Sequence, residues 1–558
     1  MTLPTPLKIM IVGDSISHGR EGDHTWRYRL FSWLSSQSLP FQFVGPYKGT
    51  VPPDPSPQPP KPPPLINEPP GPSPPALTNG GYAKSCSSSF LSNSDHFCMS
   101  GRQLYQAKDL IAEQVTLYQP DICLVALGFN DLAWLRTSPS FTLDCMKELI
   151  DSARRVKPEL KFAVANVCHR TELPGKEGED LVLRTDIYNA LLGRKLAEYE
   201  DVELVRLCEG YSCGPGQDSR GAYDGLHPNA RGEWEIARAF SLTLVKGFGI
   251  GRDGVELPRD GDWGERKLDV PRRVRALSFP CGVRVRWGKV YGAYGYEVEC
   301  LGRGMRYVAG NGLYETGCGD GEVFRYKVRA CYGDFVRSGW TEVVEGVARP
   351  ETSPPPRNIR VWATDDGLEF EFERPEGKFA KDIDRYGVVI HDYCLPGSWP
   401  RVYGVKGERG RIPGLEKGHR YGISVTTWNK AGEGPAKNFE REVVVGRVGM
   451  IAIPRGLKVR AIGANGIFLT WPVDYNVGGY DVWGMNTKEG RQECIFKCPV
   501  DSYECGRRIV NWLEPSEWLF AVKAHNGSTD SELSEWVGVS VESFSLNMDH
   551  YINIHIEY

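Results

Sequence analysis

Four short stretches of the sequence carry residues that suit catalysis by an activated hydroxyl. The first holds Ser15, in Gly-Asp-Ser-Ile-Ser, directly after a short apolar run. A serine at the carboxyl end of a buried parallel strand stands where α/β proteins bind their ligands. Because a helix can begin at the same point, the backbone N–H of Ser15 can face a developing oxyanion. The structural alternative for this motif is an ordinary turn and helix cap.

A base for this serine is available in the stretch Tyr-Asp-Gly-Leu-His-Pro at residues 223–228. Asp224 and His227 stand three positions apart, just before a helical pattern. On one short loop, the carboxylate can fix the imidazole tautomer while the other ring nitrogen faces the hydroxyl. Taken alone, this motif is better explained as an aspartate helix cap with an incidental histidine.

Two further residues could donate hydrogen bonds to an oxyanion. Asn130, in Leu-Gly-Phe-Asn-Asp, follows the clearest buried-strand pattern of the chain. Its side-chain amide would therefore lie above the edge of the sheet. Gly101 precedes a helical pattern, and a glycine there leaves a backbone N–H open to a substrate. Turn formation is the structural alternative at both positions.

The order of these four motifs resembles the pattern of the SGNH, or GDSL-type, hydrolase family. The resemblance covers about residues 7–247, and Ile16 replaces the leucine of Gly-Asp-Ser-Leu. The beginning of the chain looks most like the branch that contains carbohydrate O-acetyl esterases. The resemblance implies a catalytic triad and an oxyanion hole, formed respectively by Ser15, Asp224 and His227 and by Ser15, Gly101 and Asn130.

The function implied by this resemblance is a serine esterase that forms an acyl-enzyme on Ser15. Short-chain esters are the expected substrates, with carbohydrate O-acetyl esters among them. A lipase or thioesterase of longer acyl chains is one alternative, and a non-catalytic binding or scaffold protein is another. We expect no cofactor and no metal, because the histidines outside the motifs lack ligand spacing: His18, His24, His96 and His169.

The elements that must position these residues alternate between apolar strands and amphipathic helices. This alternation predicts a three-layer α/β/α domain with a parallel, flavodoxin-like sheet over residues 1–250. Residues 51–77 interrupt it with a proline-rich insertion that cannot pack as helix or inner strand. We expect an extended, solvated surface loop there, with a role as a PxxP ligand as the alternative. The predicted strands are 8–12, 41–45, 121–128, 161–167 and 202–208; the predicted helices are 26–37, 102–118, 142–156, 181–199 and 230–245.

In the remainder of the chain, apolar and polar residues alternate as they do in the strands of all-β domains. After a linker at 251–269, three blocks of about 90 residues predict β-sandwiches at 270–347, 353–446 and 453–542. The middle block resembles a fibronectin type III module, because Leu415 and Tyr421 match the tyrosine-corner pattern of that family. The outer blocks resemble it less sharply. These modules could bind polymer, space the catalytic domain or mediate protein contacts, and the tail at 543–558 alternates like an edge strand.

Composition limits the remaining possibilities. A net charge of −4 without a dense basic run argues against nucleic-acid binding. No apolar run approaches the length needed to span a bilayer, which is about 20 residues. No signal peptide is visible, so the chain as written is expected to be cytoplasmic, with an extracellular location as the alternative. The cysteine pairs Cys208/Cys213 and Cys494/Cys498 could each close a small loop or remain as reduced thiols.

Overall fold

A parallel sheet flanked by helices forms the N-terminal domain of the computed structural model. The structure describes residues 5–69, 77–135, 137–171, 176–216, 219–259, 261–395, 397–462, 466–500, 507–511 and 518–539. The strands of this sheet are Leu7–Gly13 (β1), Phe41–Val44 (β2), Phe97–Cys98 (β3), Ile122–Ala126 (β4), Lys161–Ala165 (β5) and Val202–Val205 (β6). The helices are Ser15–His18 (α1), Thr25–Ser36 (α2), Ser88–Ser92 (α3), Leu104–Tyr118 (α4), Phe129–Ala133 (α5), Pro139–Val156 (α6), Lys176–Leu196 (α7), Leu207–Gly210 (α8) and Ala230–Phe248 (α9).

The strand order of the sheet brings two of the predicted motifs side by side. The order is β2-β1-β4-β5-β6, and the short β3 pairs with the end of β1. Every pairing in the sheet is parallel, and β1 is hydrogen-bonded directly to β4. The flavodoxin-like three-layer prediction is therefore confirmed. Since the carboxyl ends of β1 and β4 lie at the same edge, the loops that follow them are neighbours.

Local sequence signals explain where the helices begin and end. Helix α6 starts at Pro139, three residues earlier than predicted, because the Ser138 side chain accepts a hydrogen bond from Phe141 N–H and proline is preorganised for the first turn. Helix α9 ends at Phe248 and is capped by Gly249, which adopts a left-handed conformation. A helix start at Ser15 was expected, whereas the short helices α3, α5 and α8 were not, because one turn of helix gives no readable periodicity.

Over residues 51–69, the proline-rich insertion is an extended surface loop that also contacts other domains. Residues 51–69, called here the proline strap, run along the first two sandwich modules. The Ser56 hydroxyl donates to Asn311 Oδ1 at 2.6 Å. In the second module, the Gly404 N–H donates to the Pro64 carbonyl at 2.7 Å. The prediction of an extended backbone was right, but a backbone without internal hydrogen bonds has its polar groups free to pair with another domain.

Three antiparallel sandwiches follow, each built from a three-stranded and a larger sheet around its own core. The first contains Arg275–Phe279 (β7), Gly282–Arg286 (β8), Gly295–Cys300 (β9), Gly304–Val308 (β10), Gly312–Glu315 (β11), Val323–Tyr332 (β12), Val336–Arg337 (β13) and Val344–Val347 (β14). The second contains Arg357–Ala363 (β15), Gly367–Glu373 (β16), a 3-10 turn at Ala380–Asp382, Arg385–Asp392 (β17), Arg401–Val405 (β18), Arg409–Pro413 (β19), Arg420–Asn429 (β20), Gly432–Glu433 (β21), Lys437–Asn438 (β22) and Val443–Val444 (β23). The third contains Lys458–Ile462 (β24), Gly466–Thr470 (β25), Gly479–Asn486 (β26), Gln492–Pro499 (β27), Arg507–Asn511 (β28), Trp518–Asn526 (β29), Thr529–Asp530 (β30) and Val537–Gly538 (β31).

The expected tyrosine corner is present in the second module. Tyr421 is buried, and its hydroxyl accepts a hydrogen bond from the Glu416 N–H at 2.9 Å. A buried phenol needs such a partner, which ties the loop to strand β20. The predicted tail at 543–558 lies outside the described residues.

The described residues of the segment 251–269 form neither helix nor strand, yet this segment packs against the N-terminal domain. Its Asp253 carbonyl accepts a hydrogen bond from the Trp33 indole at 2.6 Å, and Trp263 is buried. The cysteines that could have closed small loops are free thiols in the structure, namely Cys208, Cys213, Cys494 and Cys498. Among the described residues, no helix combines the length and apolar character that crossing a bilayer requires.

Candidate active site

Ser15 is presented by the sharp junction between β1 and α1. It is the first residue of α1, and Asp14 caps this helix by accepting a hydrogen bond from the Ile16 N–H at 2.9 Å. The cap holds the turn, so the Ser15 hydroxyl projects from the end of the strand at a partly exposed position. The structure therefore places the serine at the carboxyl edge of the sheet.

Asp224 and His227 meet Ser15 from a loop that precedes α9. His227 Nε2 lies 2.8 Å from Ser15 Oγ, and His227 Nδ1 lies 2.7 Å from Asp224 Oδ2. The second carboxylate oxygen accepts the backbone N–H groups of Leu226 at 3.1 Å and His227 at 2.8 Å. The carboxylate is thus fixed by its own loop, and it orients the ring whose far nitrogen faces the hydroxyl.

The loop that carries Gly101 is fastened to the same edge. The Met99 N–H donates to the Gly13 carbonyl at 3.0 Å, and the Ser100 N–H donates to His18 Nδ1 at 3.1 Å. Gly101 has φ of 76°, and a Cβ added there would meet no atom within 4 Å. The glycine is therefore required by its backbone conformation and not by lack of space.

Asn130 lies at the start of α5, in the loop after β4, and is 4% exposed. Its amide nitrogen donates to the Arg102 carbonyl at 3.0 Å and makes a longer contact of 3.5 Å with Asp14 Oδ2. An amide carries two hydrogens, so one is held by Arg102 while the other faces the serine turn. All five residues predicted for the site therefore converge on one edge of the sheet.

Comparison with known proteins supports the family resemblance. Residues 78–234 match the GDSL-like Lipase/Acylhydrolase family. The match starts just after the proline-rich insertion, so it omits β1 and Ser15 but contains Gly101, Asn130, Asp224 and His227.

The domain that contains this match is called here the GDSL-like domain. The enzyme class predicted from the four motifs, an SGNH-type ester hydrolase, is confirmed by this match. Comparison with curated proteins gives no match.

The similar solved structures include carbohydrate esterases and fibronectin-type domains. A carbohydrate esterase family 3 structure from Talaromyces cellulolyticus is 19% identical, covers 43% of this chain and 97% of its own, and has a TM-score of 0.32. A family 3 carbohydrate esterase from Clostridium thermocellum is 22% identical, with 43% and 96% coverage and a TM-score of 0.31. The FN1-FN3 domains of chicken CNTN1 are 11% identical, with 49% and 96% coverage and a TM-score of 0.18.

At this edge of the GDSL-like domain, the buried carboxylate of Asp14 and the half-buried carboxylate of Asp224 differ in pKa. Burial alone would raise the pKa of Asp224, but the hydrogen bonds from the His227 ring and from two backbone N–H groups lower this pKa below its usual range. Burial raises the pKa of Asp14 to about 6, against the hydrogen bond that it accepts from Ile16. The carboxylate beside the histidine thus stays ionised to lower pH than the one beneath the serine.

Several residues that shape the site were missed at the level of sequence. Asp131 accepts hydrogen bonds from the backbone of α4, and His18 holds the Ser100 N–H. Tyr223 stacks on the His227 ring, with centroids 5.6 Å apart and planes inclined by 17°. Each of these residues is adjacent to a motif or within it, so motif proximity was the available signal.

A metal ion has one candidate site among the described residues, and it lies in the second sandwich module. The ligand atoms of Asp392, Cys394 and His419 are all within 4.8 Å of one another. His419 Nδ1 is 2.9 Å from Asp392 Oδ2, so these two side chains already satisfy each other by a hydrogen bond. None of the three residues belongs to the serine site of the GDSL-like domain.

Proposed function

We propose that the protein hydrolyses short-chain carboxylic esters, carbohydrate O-acetyl esters in particular, through an acyl-enzyme on Ser15. The observation that carries this proposal is the continuous hydrogen-bonded chain from Asp224 through His227 to the Ser15 hydroxyl. An uncharged serine is a weak nucleophile and needs a base at this distance. A scaffold protein would have no need for the arrangement.

In the first step, His227 Nε2 removes the hydroxyl proton while Ser15 Oγ attacks the acyl carbon. The developing oxyanion would be stabilised by the N–H groups of Ser15 and Gly101 and by the Asn130 amide. Within the described part of the chain, neither backbone N–H has an acceptor, so both are available. Asp224 stabilises the imidazolium that forms.

In the second step, His227 donates its proton to the leaving alcohol, and the C–O bond of the ester breaks. His227 then removes a proton from water, whose oxygen attacks the acyl carbon of the acyl-enzyme. Collapse of the second tetrahedral intermediate releases the carboxylic acid and returns the proton to Ser15. The cycle consumes one ester and one water and needs no further reactant.

The polar cavity beside Ser15 supports an ester of a polar alcohol. It has a volume of about 380 Å³, and Val51 is the one aliphatic side chain among the described residues that line it. A lipase or thioesterase would instead need an apolar channel for its acyl chain. Charged and hydroxyl groups dominate this lining, which suits a hydroxyl-rich alcohol better than a hydrocarbon.

Acetate release from p-nitrophenyl acetate tests the proposed chemistry. We expect Ser15→Ala to reduce kcat by at least about 10³-fold, the usual scale for loss of an activated nucleophile. Nitrophenyl butyrate and octanoate should be cleaved progressively more slowly by the wild type. Equal hydrolysis by wild type and Ser15→Ala would exclude the serine mechanism, and preference for octanoate would favour a lipase.

A further inference from the structure

The first sandwich module is in direct contact with the loop that carries His227. The ring of Tyr223 packs edge-on against Tyr294, with centroids 4.9 Å apart, and lies 5.1 Å from Tyr332. The Asp334 N–H donates to the Tyr223 carbonyl at 2.7 Å. Since Tyr223 also stacks on His227, the module supports the loop from behind.

This contact is anchored by a buried charge. Asp23 of the GDSL-like domain is 5% exposed, and it accepts hydrogen bonds from Arg266 at 2.5 Å and from the Tyr294 hydroxyl at 2.7 Å. Separating the two parts would leave this carboxylate buried or force it into water without its partners. These buried contacts therefore favour a stable interface between the two domains.

The hairpin between β12 and β13 packs its backbone directly against Tyr223, in the loop that carries His227. Gly333 has φ of 60°, and a Cβ there would lie 2.3 Å from the Tyr223 carbonyl oxygen. Arg337 donates to the Gly333 carbonyl at 2.8 Å and to Glu297 at 2.6 Å, which fixes the hairpin from the other side. Glycine is thus required for space as well as for conformation.

The same hairpin forms a wall of the catalytic cavity. Ser15, Arg20 and His227 line the cavity from the GDSL-like domain, while Tyr307, Asp334 and Arg337 line it from the first module. The Arg20 guanidinium lies over the Tyr294 ring, 4.9 Å from its centroid. Within the described residues, no carboxylate stands at ion-pair distance from Arg20, and no cation pairs with the Asp334 side chain.

The position of this wall relative to His227 decides which part of an ester it would meet. Two of the three proposed oxyanion donors, Gly101 and Asn130, do not line the cavity, whereas His227 does. A general acid must donate its proton to the leaving oxygen, so the alcohol departs on the imidazole side. The cavity therefore lies on the alcohol side of the reacting bond.

Resting on the proposed function, we propose that Tyr307 and Asp334 of the first module, together with Arg20, bind the sugar that leaves from the ester. A phenol, a carboxylate and a guanidinium supply donors and acceptors that match several hydroxyl groups at once. The first sandwich module is then a part of the active site that determines alcohol specificity, and not a spacer or a separate binding domain.

Two acetate esters that differ only in their alcohol test this assignment in the full-length protein: ethyl acetate and an acetylated xylo-oligosaccharide. Asp334→Ala keeps the backbone hydrogen bond to Tyr223. Tyr307→Phe removes a hydroxyl that also donates to the Tyr294 carbonyl at 3.2 Å, so its thermal unfolding is compared with that of the wild type. We expect both variants to lower kcat/KM for the sugar ester about tenfold more than for ethyl acetate, mainly through KM. Arg325→Ala is the matched control, because its exposed ion pair with Glu345 lies in the same module away from the cavity.

Equal losses on the two esters, or no loss on either, would overturn the assignment, as would a wild type that cleaves ethyl acetate but not the sugar ester. Thermal unfolding of each variant shows that it is folded. Ser15→Ala, tested on both esters, separates this result from the mechanism. If that variant is as active as the wild type, the proposed function fails, and the sugar site fails with it.

Discussion

Asp131 Oδ2 accepts a hydrogen bond from the backbone N–H of Leu104 at 2.7 Å, across 27 positions of sequence. Its other oxygen accepts the Tyr105 N–H at 3.0 Å, so a carboxylate from the loop after β4 caps helix α4. Because Asn130 is the preceding residue, the same contact holds the proposed oxyanion donor against the Gly101 loop. Asp131 thus caps α4 and also holds the Asn130 loop against the Gly101 loop, and this pair of contacts is called here the Asp131 clamp.

Removal of this clamp should affect both stability and catalysis. We expect Asp131→Ala to lower the free energy of unfolding by about 1–3 kcal/mol, since it leaves buried N–H groups without acceptors. It should also lower kcat, because Asn130 loses its support. Chemical denaturation and acetate release measure the two effects. The control is Asp109→Ala on the exposed face of α4, and equal stability of the two variants would argue against the clamp.

Asp224→Asn should leave the site assembled but unable to present the correct imidazole tautomer. We expect kcat to fall about 10³–10⁴-fold with little change in KM, as in other serine triads. The matched control is Asp186→Asn, since Asp186 bonds to His169 at 2.9 Å in a second aspartate–histidine pair. Steady-state kinetics on p-nitrophenyl acetate measures both. A similar fall in kcat for Asp186→Asn would show that the effect is not specific to the Asp224–His227 pair.

Asn130→Ala removes one of the three proposed oxyanion donors. The expected fall in kcat is about 10²–10³-fold, because an oxyanion donor acts mainly in the transition state. KM should change much less than kcat. Steady-state kinetics with p-nitrophenyl acetate separates the two constants, and a rise in KM at constant kcat would assign Asn130 to substrate binding instead.

Acid should destabilise the protein through His18. Burial, assisted by the charges of Arg27 and Arg102, lowers the pKa of His18 to about 3, against an ordinary value of 6.5. Between these values the unfolded chain binds a proton that the folded chain does not, so the free energy of unfolding decreases as pH falls from 6.5 towards 3.

His18→Asn tests this dependence, because asparagine can still accept the Ser100 hydrogen bond but cannot be protonated. The variant should lose less stability than the wild type on acidification. Denaturant titrations over this pH range measure the difference between the two proteins, in which the other titrating groups largely cancel. Parallel curves would show that His18 does not titrate on unfolding.

Arg266→Ala should weaken the junction between the GDSL-like domain and the first module. It leaves the buried Asp23 carboxylate without its cation, a change that costs about 3–5 kcal/mol in buried pairs. Calorimetry should show a lower unfolding temperature. Arg357→Ala, which breaks an exposed pair with Glu376, should cost at most about 1 kcal/mol. Similar effects of the two substitutions would contradict a buried anchor.

The sheet could be predicted because it depends on local signals, whereas the five site residues were assigned because their motifs, in this order, resemble the SGNH pattern. Buried parallel strands are continuous apolar runs, and Ser15, Asn130 and Gly101 stand next to such runs or to a helix start. The chain order of the motifs then limited which residues could meet. Distances between them depend on how the loops pack, and only the structure supplies these distances.

The contacts of Tyr223 could not be predicted in the same way. A tyrosine beside Asp224 gives no indication that Tyr294 and Tyr332, from another domain, pack against it. Docking of two folded domains follows surface shape and a few buried polar groups, which have no periodicity in sequence. The same reason applies to Pro64, whose carbonyl pairs with a strand more than three hundred residues away.

The proline strap has a consequence for how this protein can be recombined. This loop interrupts the catalytic fold, and its backbone pairs with β18 of the second module. The catalytic domain and the second module are therefore joined by backbone hydrogen bonds. A chimera joined at residues 251–269 would inherit the loop from one parent and its partner strand from the other. An active chimera of two such proteins should therefore keep the catalytic domain and the first two modules from the same parent.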